Sequence, residues 1–183
     1  DSPPDYATPL RLRADRAGGF VVSHHTAAGG AMFWVAPGGD KVPLSLPYAP
    51  TFDVAADGRI WFVRNGMLSV GTKDGAFTNL APESGPQSPA DGPLGSSPLG
   101  PIGLIAAGRD KVYLLIESGA VNLGVQPPAS SVARSLRVLT RVGQDGWTVR
   151  TVSLPADVQA VDVVSAMRAG PGDELLILLN QPF

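Results

Sequence analysis

Residues 54–63 read VAADGRIWFV, a short strand followed by a small-residue turn and a run of apolar residues. A similar motif, which we call the repeated phrase, occurs at three other places: residues 13–22, 105–115 and 167–178. Recurrence of one phrase along a chain is typical of proteins built as an array of similar units. We therefore predict an all-β protein made of repeated strand units.

Two further strands follow the repeated phrase in each of the first three units. In the second unit they are residues 67–71 and 76–80, joined by Asp74-Gly75, a strong hairpin signal. The second strands of the four units begin 40, 52 and 63 residues apart, at Phe20, Ile60, Val112 and Leu175. A unit of about 40 residues in four antiparallel strands is typical of a β-propeller blade. A β-sandwich is the alternative fold.

The predicted fold is an incomplete β-propeller with three four-stranded blades and half of a fourth. Its parts are a tether (1–8), blade 1 (9–47), blade 2 (48–82), a loop (83–100), blade 3 (101–155) and a half blade (156–183), so that residues 9–183 form the partial propeller. The half blade would leave an unpaired strand edge. We therefore expect another protein chain, or the remainder of the propeller, as a partner. The tryptophans at 34, 61 and 147 fall in strands and are expected in the core.

Composition excludes several classes of function. The chain has 183 residues, of which 44% are hydrophobic, and 14 basic against 16 acidic residues give a net charge of −2. Nucleic-acid binding needs a concentrated basic field, so we predict no nucleic-acid partner. No apolar run reaches the roughly 20 residues of a membrane span. The absence of cysteine excludes disulfides and thiolate metal sites.

The first five residues read DSPPD, which is typical of a short tether behind a removed signal peptide or a lipid-modified residue. We therefore expect an extracytoplasmic protein, whether secreted, periplasmic or lipid-anchored. The alternative is that Asp1 marks an arbitrary boundary.

Loop lengths single out one edge of the predicted sheets. In an antiparallel meander, the turns between first and second strands and between third and fourth strands lie at one edge. The other connections lie at the opposite edge, and they include the long segments 24–30, 82–101 and 118–134. Repeat proteins carry insertions on their binding face. We therefore predict that this loop-rich face binds a partner.

Four polar residues end the second strands at the loop-rich face, five residues after each strand begins: His25, Asn65, Glu117 and Asn180. In a propeller these strand ends approach the central channel, so the four residues are predicted to form a ring that binds a small ligand. If the ligand is a metal ion, His25 or Glu117 would hold it. The alternative is that strands end in polar residues because they emerge into water. No catalytic residue is predicted.

The segment Ala56–Phe62 resembles the blade motif of NHL-like and streptogramin-lyase-like propellers, in which a strand of this pattern recurs in each blade. The resemblance covers the repeat framework, and the second unit matches the motif most closely. It implies a propeller fold. Lyases of this type use a histidine with a divalent metal near the channel, so the resemblance points to His24 or His25.

The leading hypothesis is a non-enzymatic exported propeller segment that acts as a protein-binding and assembly module through its loop-rich face. One alternative is a metal-dependent enzyme similar to a lyase or lactonase, completed by absent blades. Another is a sensor of a small ligand or glycan. No cofactor is predicted beyond a divalent cation in the enzyme alternative.

Overall fold

A computed structural model describes residues 11–15, 17–26, 29–85, 89–118, 133–144, 146–160 and 163–180. This part of the chain is all-β apart from one five-residue helix. Its strands form four antiparallel sheets, and none of these sheets is closed on itself. The predicted all-β class is confirmed, whereas the propeller arrangement of the sheets stays a prediction.

Sheets 1 and 2 are four-stranded meanders in which each strand lies beside the next one in the chain. Sheet 1 contains β1 (Arg11–Ala14), β2 (Phe20–Thr26), β3 (Gly29–Val35) and β4 (Lys41–Pro43). Sheet 2 contains β5 (Thr51–Val54), β6 (Ile60–Arg64), β7 (Met67–Gly71) and β8 (Phe77–Pro82). The two strands predicted after the repeated phrase are therefore present in both units, as β3 and β4 and as β7 and β8.

Sheets 3 and 4 follow in the chain. Sheet 3 contains β9 (Gly92–Pro93), β10 (Ile102–Ala107), β11 (Lys111–Ser118), β12 (Ala133–Val142) and β13 (Gly146–Val152). Sheet 4 contains β14 (Val163–Ala169) and β15 (Leu175–Asn180), and it follows helix α1 (Ala156–Ala160). Sequence reasoning missed β9, which joins the edge of sheet 3 beside β13. Within the described residues, no strand pairs with the second edge of β15.

The chain divides into two compact units, residues 1–79 and 80–183. The core of the first unit lies between facing sides of sheets 1 and 2. Val21 and Met32 of sheet 1 pack there with Ile60 and Phe62 of sheet 2, and all four are fully buried. Strand side chains alternate between the two faces, so every second residue contributes to this core.

The core of the second unit lies between sheets 3 and 4. Tyr113 and Leu115 of β11 pack with Met167 of β14, and Val158 of helix α1 joins them. A carboxylate also fastens the turn ends of the two sheets. Asp173 accepts the backbone N–H of Arg109 at 2.7 Å, and the hydroxyl of Tyr113 donates to the backbone carbonyl of Asp173.

Five hairpin turns share one pattern of closure. In each, the first N–H donates to the carbonyl of the fifth residue, and the fourth N–H donates to the carbonyl of the first, in turns 15–19, 36–40, 55–59, 72–76 and 170–174. The fourth residue has a positive φ in every case: Gly18, Gly39, Gly58, Gly75 and Asp173. This is a type I turn followed by a left-handed bulge residue, a position that favours glycine, asparagine or aspartate. Three of these turns lie in copies of the repeated phrase, at 13–22, 54–63 and 167–178, and turn geometry therefore accounts for Gly18, Gly58 and Asp173 in them.

The turn at 36–40 allows a matched test of this requirement. Gly39 has a φ of 92° and Gly38 has no positive φ, and a Cβ at either position would meet nothing within 4 Å. Gly39→Ala should lower the free energy of unfolding by about 1 kcal/mol, because an L-residue is strained in the left-handed region. Gly38→Ala should leave it unchanged or raise it slightly. Urea unfolding followed by fluorescence measures both, and equal losses would contradict the assigned turn.

Candidate functional site

Two predicted ligand-binding residues lie in the first unit. His25 is an exposed residue of β2, and its ring centroid lies 5.0 Å from that of Tyr48. Asn65 begins the two-residue turn between β6 and β7, where Asn65 and Gly66 have φ angles of 50° and 71°. A type I′ hairpin turn requires two positive φ angles and strongly favours Asn-Gly. Turn geometry thus accounts for Asn65 without a ligand.

The other two predicted residues lie in the second unit. Glu117 of β11 stands opposite Arg134 of β12, whose Nε lies 3.0 Å from Glu117 Oε1. The Arg134 side chain is buried, so an unpaired charge would be costly there and the carboxylate compensates it. Asn180 is the last residue of β15, and its side chain lies outside the described residues. The predicted four-residue ring therefore remains a prediction.

Metal binding finds no support in the part of the chain that the structure describes. No group of three or more histidine, aspartate or glutamate side chains is arranged there to hold an ion. Glu117 is paired with an arginine, and His25 contacts a tyrosine ring.

Much of the predicted loop-rich face lies outside the described residues, namely residues 27–28, 86–88 and 119–132. The described part of the loop at 83–100 is fastened to sheet 3. Asp91 Oδ1 accepts the backbone N–H of Thr151 at 2.8 Å and its hydroxyl at 2.7 Å. These hydrogen bonds, with a smaller contribution from nearby arginines, lower the pKa of Asp91. This segment is therefore a strand extension of sheet 3.

Removal of the Asp91 carboxylate should release that extension. In Asp91→Ala, the Thr151 amide should exchange its hydrogen at least about tenfold faster, because a hydrogen bond to a charged group is lost. Asp110→Ala, which removes an exposed carboxylate in the same unit, serves as the control. Hydrogen exchange read by NMR checks both, and an unchanged Thr151 amide would show that Asp91 does not hold the segment.

An open pocket of about 430 Å³ lies at the opposite, short-turn edge of the first unit. Three hairpin turns form its walls, with Asp15, Ala17, Ala56, Asp57, Gly58, Thr72 and Lys73 as lining residues. Sequence reasoning missed this pocket. Asp15 and Lys73 are far apart in the chain, and no sequence pattern links the two.

The buried carboxylate of Asp15 is the centre of this pocket wall. Its Oδ1 accepts the backbone N–H groups of Ala17 at 2.8 Å and Gly19 at 3.0 Å. Its Oδ2 accepts the indole N–H of Trp34 at 2.7 Å and the ammonium of Lys73. Two oxygens with four acceptor sites are thereby fully used. The arrangement fastens sheet 1 to sheet 2 and leaves Asp15 no capacity for a ligand.

The electrostatics of Asp15 follow from the same contacts. Burial acts to raise its pKa, but the hydrogen bonds from Lys73, Trp34 and Gly19 together outweigh burial and lower the pKa below the usual 3.8. The carboxylate is therefore ionised at neutral pH. A lowered pKa contributes stability above the unfolded-state value, and that stability is lost as the pH falls through the folded-state value.

Asp15→Asn should lower the free energy of unfolding at pH 7 by about 3 kcal/mol, because it removes a buried charged acceptor and leaves Lys73 without it. The difference from the unmodified chain should be constant above about pH 5 and should shrink as the pH falls below 3.8. Asp40→Asn changes an exposed residue of another turn and should alter the free energy of unfolding by less than about 0.5 kcal/mol. Urea unfolding at several pH values provides the measurement. A difference independent of pH would contradict this account of Asp15.

The strand that follows the first hairpin turn of each unit differs in exposure between sheets. These strands are β2, β6, β11 and β15. We number their residues from the first one after the hairpin turn. At position two the exposed fractions are 0% for Val21, 0% for Trp61, 7% for Tyr113 and 61% for Leu176. At position four, Ser23 and Leu115 are buried and Val63 is half-buried, whereas Leu178 is 61% exposed.

Positions two and four are packing positions in this fold. Val21 packs against sheet 2, and Tyr113 and Leu115 pack against sheet 4. Leu176 and Leu178 occupy the same positions in sheet 4 but remain largely exposed. Single exposed leucines are common, whereas Leu176 and Leu178 are neighbours on one face of an edge strand, an arrangement that occurs at interaction sites. We call these two residues, with the neighbouring Arg168, the outer face of sheet 4.

Comparison with family models, curated proteins and solved structures finds no match to this chain. Among the described residues, no helix is both long enough and apolar enough to cross a membrane.

Proposed function

We propose that this protein is a non-enzymatic binding and assembly module that holds another polypeptide on the outer face and free edge of sheet 4. One observation carries the proposal. Leu176 and Leu178 stand where the other three sheets bury nearly all their side chains, yet each is 61% exposed. A partner that covers them would remove two leucine side chains from water, each worth about 1.5–3 kcal/mol when fully buried.

The free edge of β15 favours a partner that is itself a β-sheet. Backbone N–H and C=O groups along an unpaired edge can accept an additional strand, which is a common mode of peptide recognition. Sheets 1 and 2 each have four strands, whereas sheet 4 has two. Strand addition beside β15 would extend sheet 4 in the same way.

This proposal moves the binding surface from the predicted loop-rich face to sheet 4. The described part of the loop at 83–100 is engaged with sheet 3 through Asp91 and Thr151. The pocket at the short-turn edge is built around Asp15, whose acceptor sites are all used. By contrast, Leu176 and Leu178 have no such role within the described residues.

Site-specific photocrosslinking tests the proposed function. A benzophenone amino acid replaces Leu176 or Leu178, and illumination follows in cells that naturally make the protein. We expect a covalent adduct of defined mass from both positions, because a bound partner would lie within reach. Replacement of Val142, which is 55% exposed on β12, should give no such adduct.

Mass spectrometry then identifies the crosslinked peptide. Adducts from positions 176 and 178 that map to one partner surface support the proposal. Their absence from a folded, expressed protein would overturn it. Equal labelling from position 142 would also overturn it, since that result indicates random collision.

A further inference from the structure

We infer that the partner on sheet 4 is a second copy of this chain, which docks through the outer face of its sheet 1. This inference rests on the proposed function and specifies its partner. The chain exposes apolar side chains on two sheet faces of complementary kind.

The second exposed face belongs to sheet 1. Phe20, at position one of β2, is 37% exposed, and Leu12 of β1 on the same side is 46% exposed. Phe33 of β3 lies on this side too, because it is paired with Val22. At position one of β6 and β11, Ile60 and Val112 are fully buried. Sheet 1 thus exposes Phe20 and Leu12 on the face opposite to its core, beside Val22, which is buried on the same face. We call this the outer face of sheet 1.

Within the molecule, faces of these two kinds pack against each other twice. In the first unit, position two of sheet 1 (Val21) meets positions one and three of sheet 2 (Ile60 and Phe62). In the second unit, positions two and four of sheet 3 pack with Leu175 and Ile177, positions one and three of sheet 4. An even-position face therefore receives an odd-position face in both units.

The outer face of sheet 4 is an even-position face that exposes Leu176 and Leu178, and the outer face of sheet 1 is an odd-position face that exposes Phe20 and, beside it, Leu12. A second copy of the chain supplies the missing member of this pair. The contact is heterologous, so two copies can form a closed ring only if the rotation between them permits it, and otherwise a longer assembly grows.

A complementation experiment tests this contact with the full 183-residue chain. Leu178→Asp blocks the sheet 4 face, and Phe20→Asp blocks the sheet 1 face. Each variant alone should lose self-association by at least about 30-fold relative to the unmodified chain, the loss typical of a central interface residue. An equimolar mixture should form one-to-one dimers, because the intact sheet 4 face of one variant meets the intact sheet 1 face of the other.

Analytical ultracentrifugation over a range of concentrations gives the readout. Val142→Asp introduces the same charge at an exposed position outside both faces and should associate like the unmodified chain. Circular dichroism shows whether each variant folds. If Phe20→Asp does not, Leu12→Asp, on the same side of sheet 1, takes its place. Both leucines and Phe20 are at least partly exposed, so the folded monomer should tolerate these changes.

Three outcomes would overturn the inference. They are an unmodified chain that stays monomeric at all concentrations, a Phe20→Asp chain that associates normally through sheet 4 alone, and a mixture that forms no dimer. The proposed function is tested separately by the photocrosslinks. A photocrosslink from position 176 to a different protein would support a binding module and reject the second copy as its partner.

Discussion

The closure of the short hairpin turns is the constraint on which the rest of this structure depends. Two backbone hydrogen bonds and one left-handed residue close each of five turns, for example between Ala55 and Arg59. This closure sets the register of the strands on either side. Because side chains alternate along a strand, the register decides which face each apolar residue occupies. A slip of one residue would turn the core-facing side chains outward.

The same edge of the sheets also carries the carboxylates that hold sheet pairs together. In the first unit, Asp15 joins its own turn to Lys73, in the turn between β7 and β8, through a partly buried ion pair. In the second unit, Asp173 joins its turn to the backbone of residues 109–110. Both acids combine a turn role with a cross-sheet role. The short-turn edge of each unit is therefore structurally engaged, which is why we place the proposed partner on the outer face of sheet 4.

The candidate site could be predicted from the sequence only in part. The alignment of strand starts gave the positions that later identified Leu176 and Leu178, because turn and strand spacing are local properties. It also selected Asn65 and Glu117, whose polarity reflects a type I′ turn and an ion pair with Arg134. The link between Asp15 and Lys73 could not be predicted, since 58 residues separate them and no local pattern joins them.

The sequence by itself determined the all-β class, most of the strands and the short turns, because these depend on alternation and turn chemistry within about ten residues. Only the tertiary structure decided which apolar faces are covered. Val21 and Leu176 occupy the same position after the same kind of turn, yet one is fully buried and the other is 61% exposed. They differ because sheet 2 packs against Val21, whereas no described sheet covers Leu176. Burial is a property of the neighbour as much as of the residue, and no local pattern contains it.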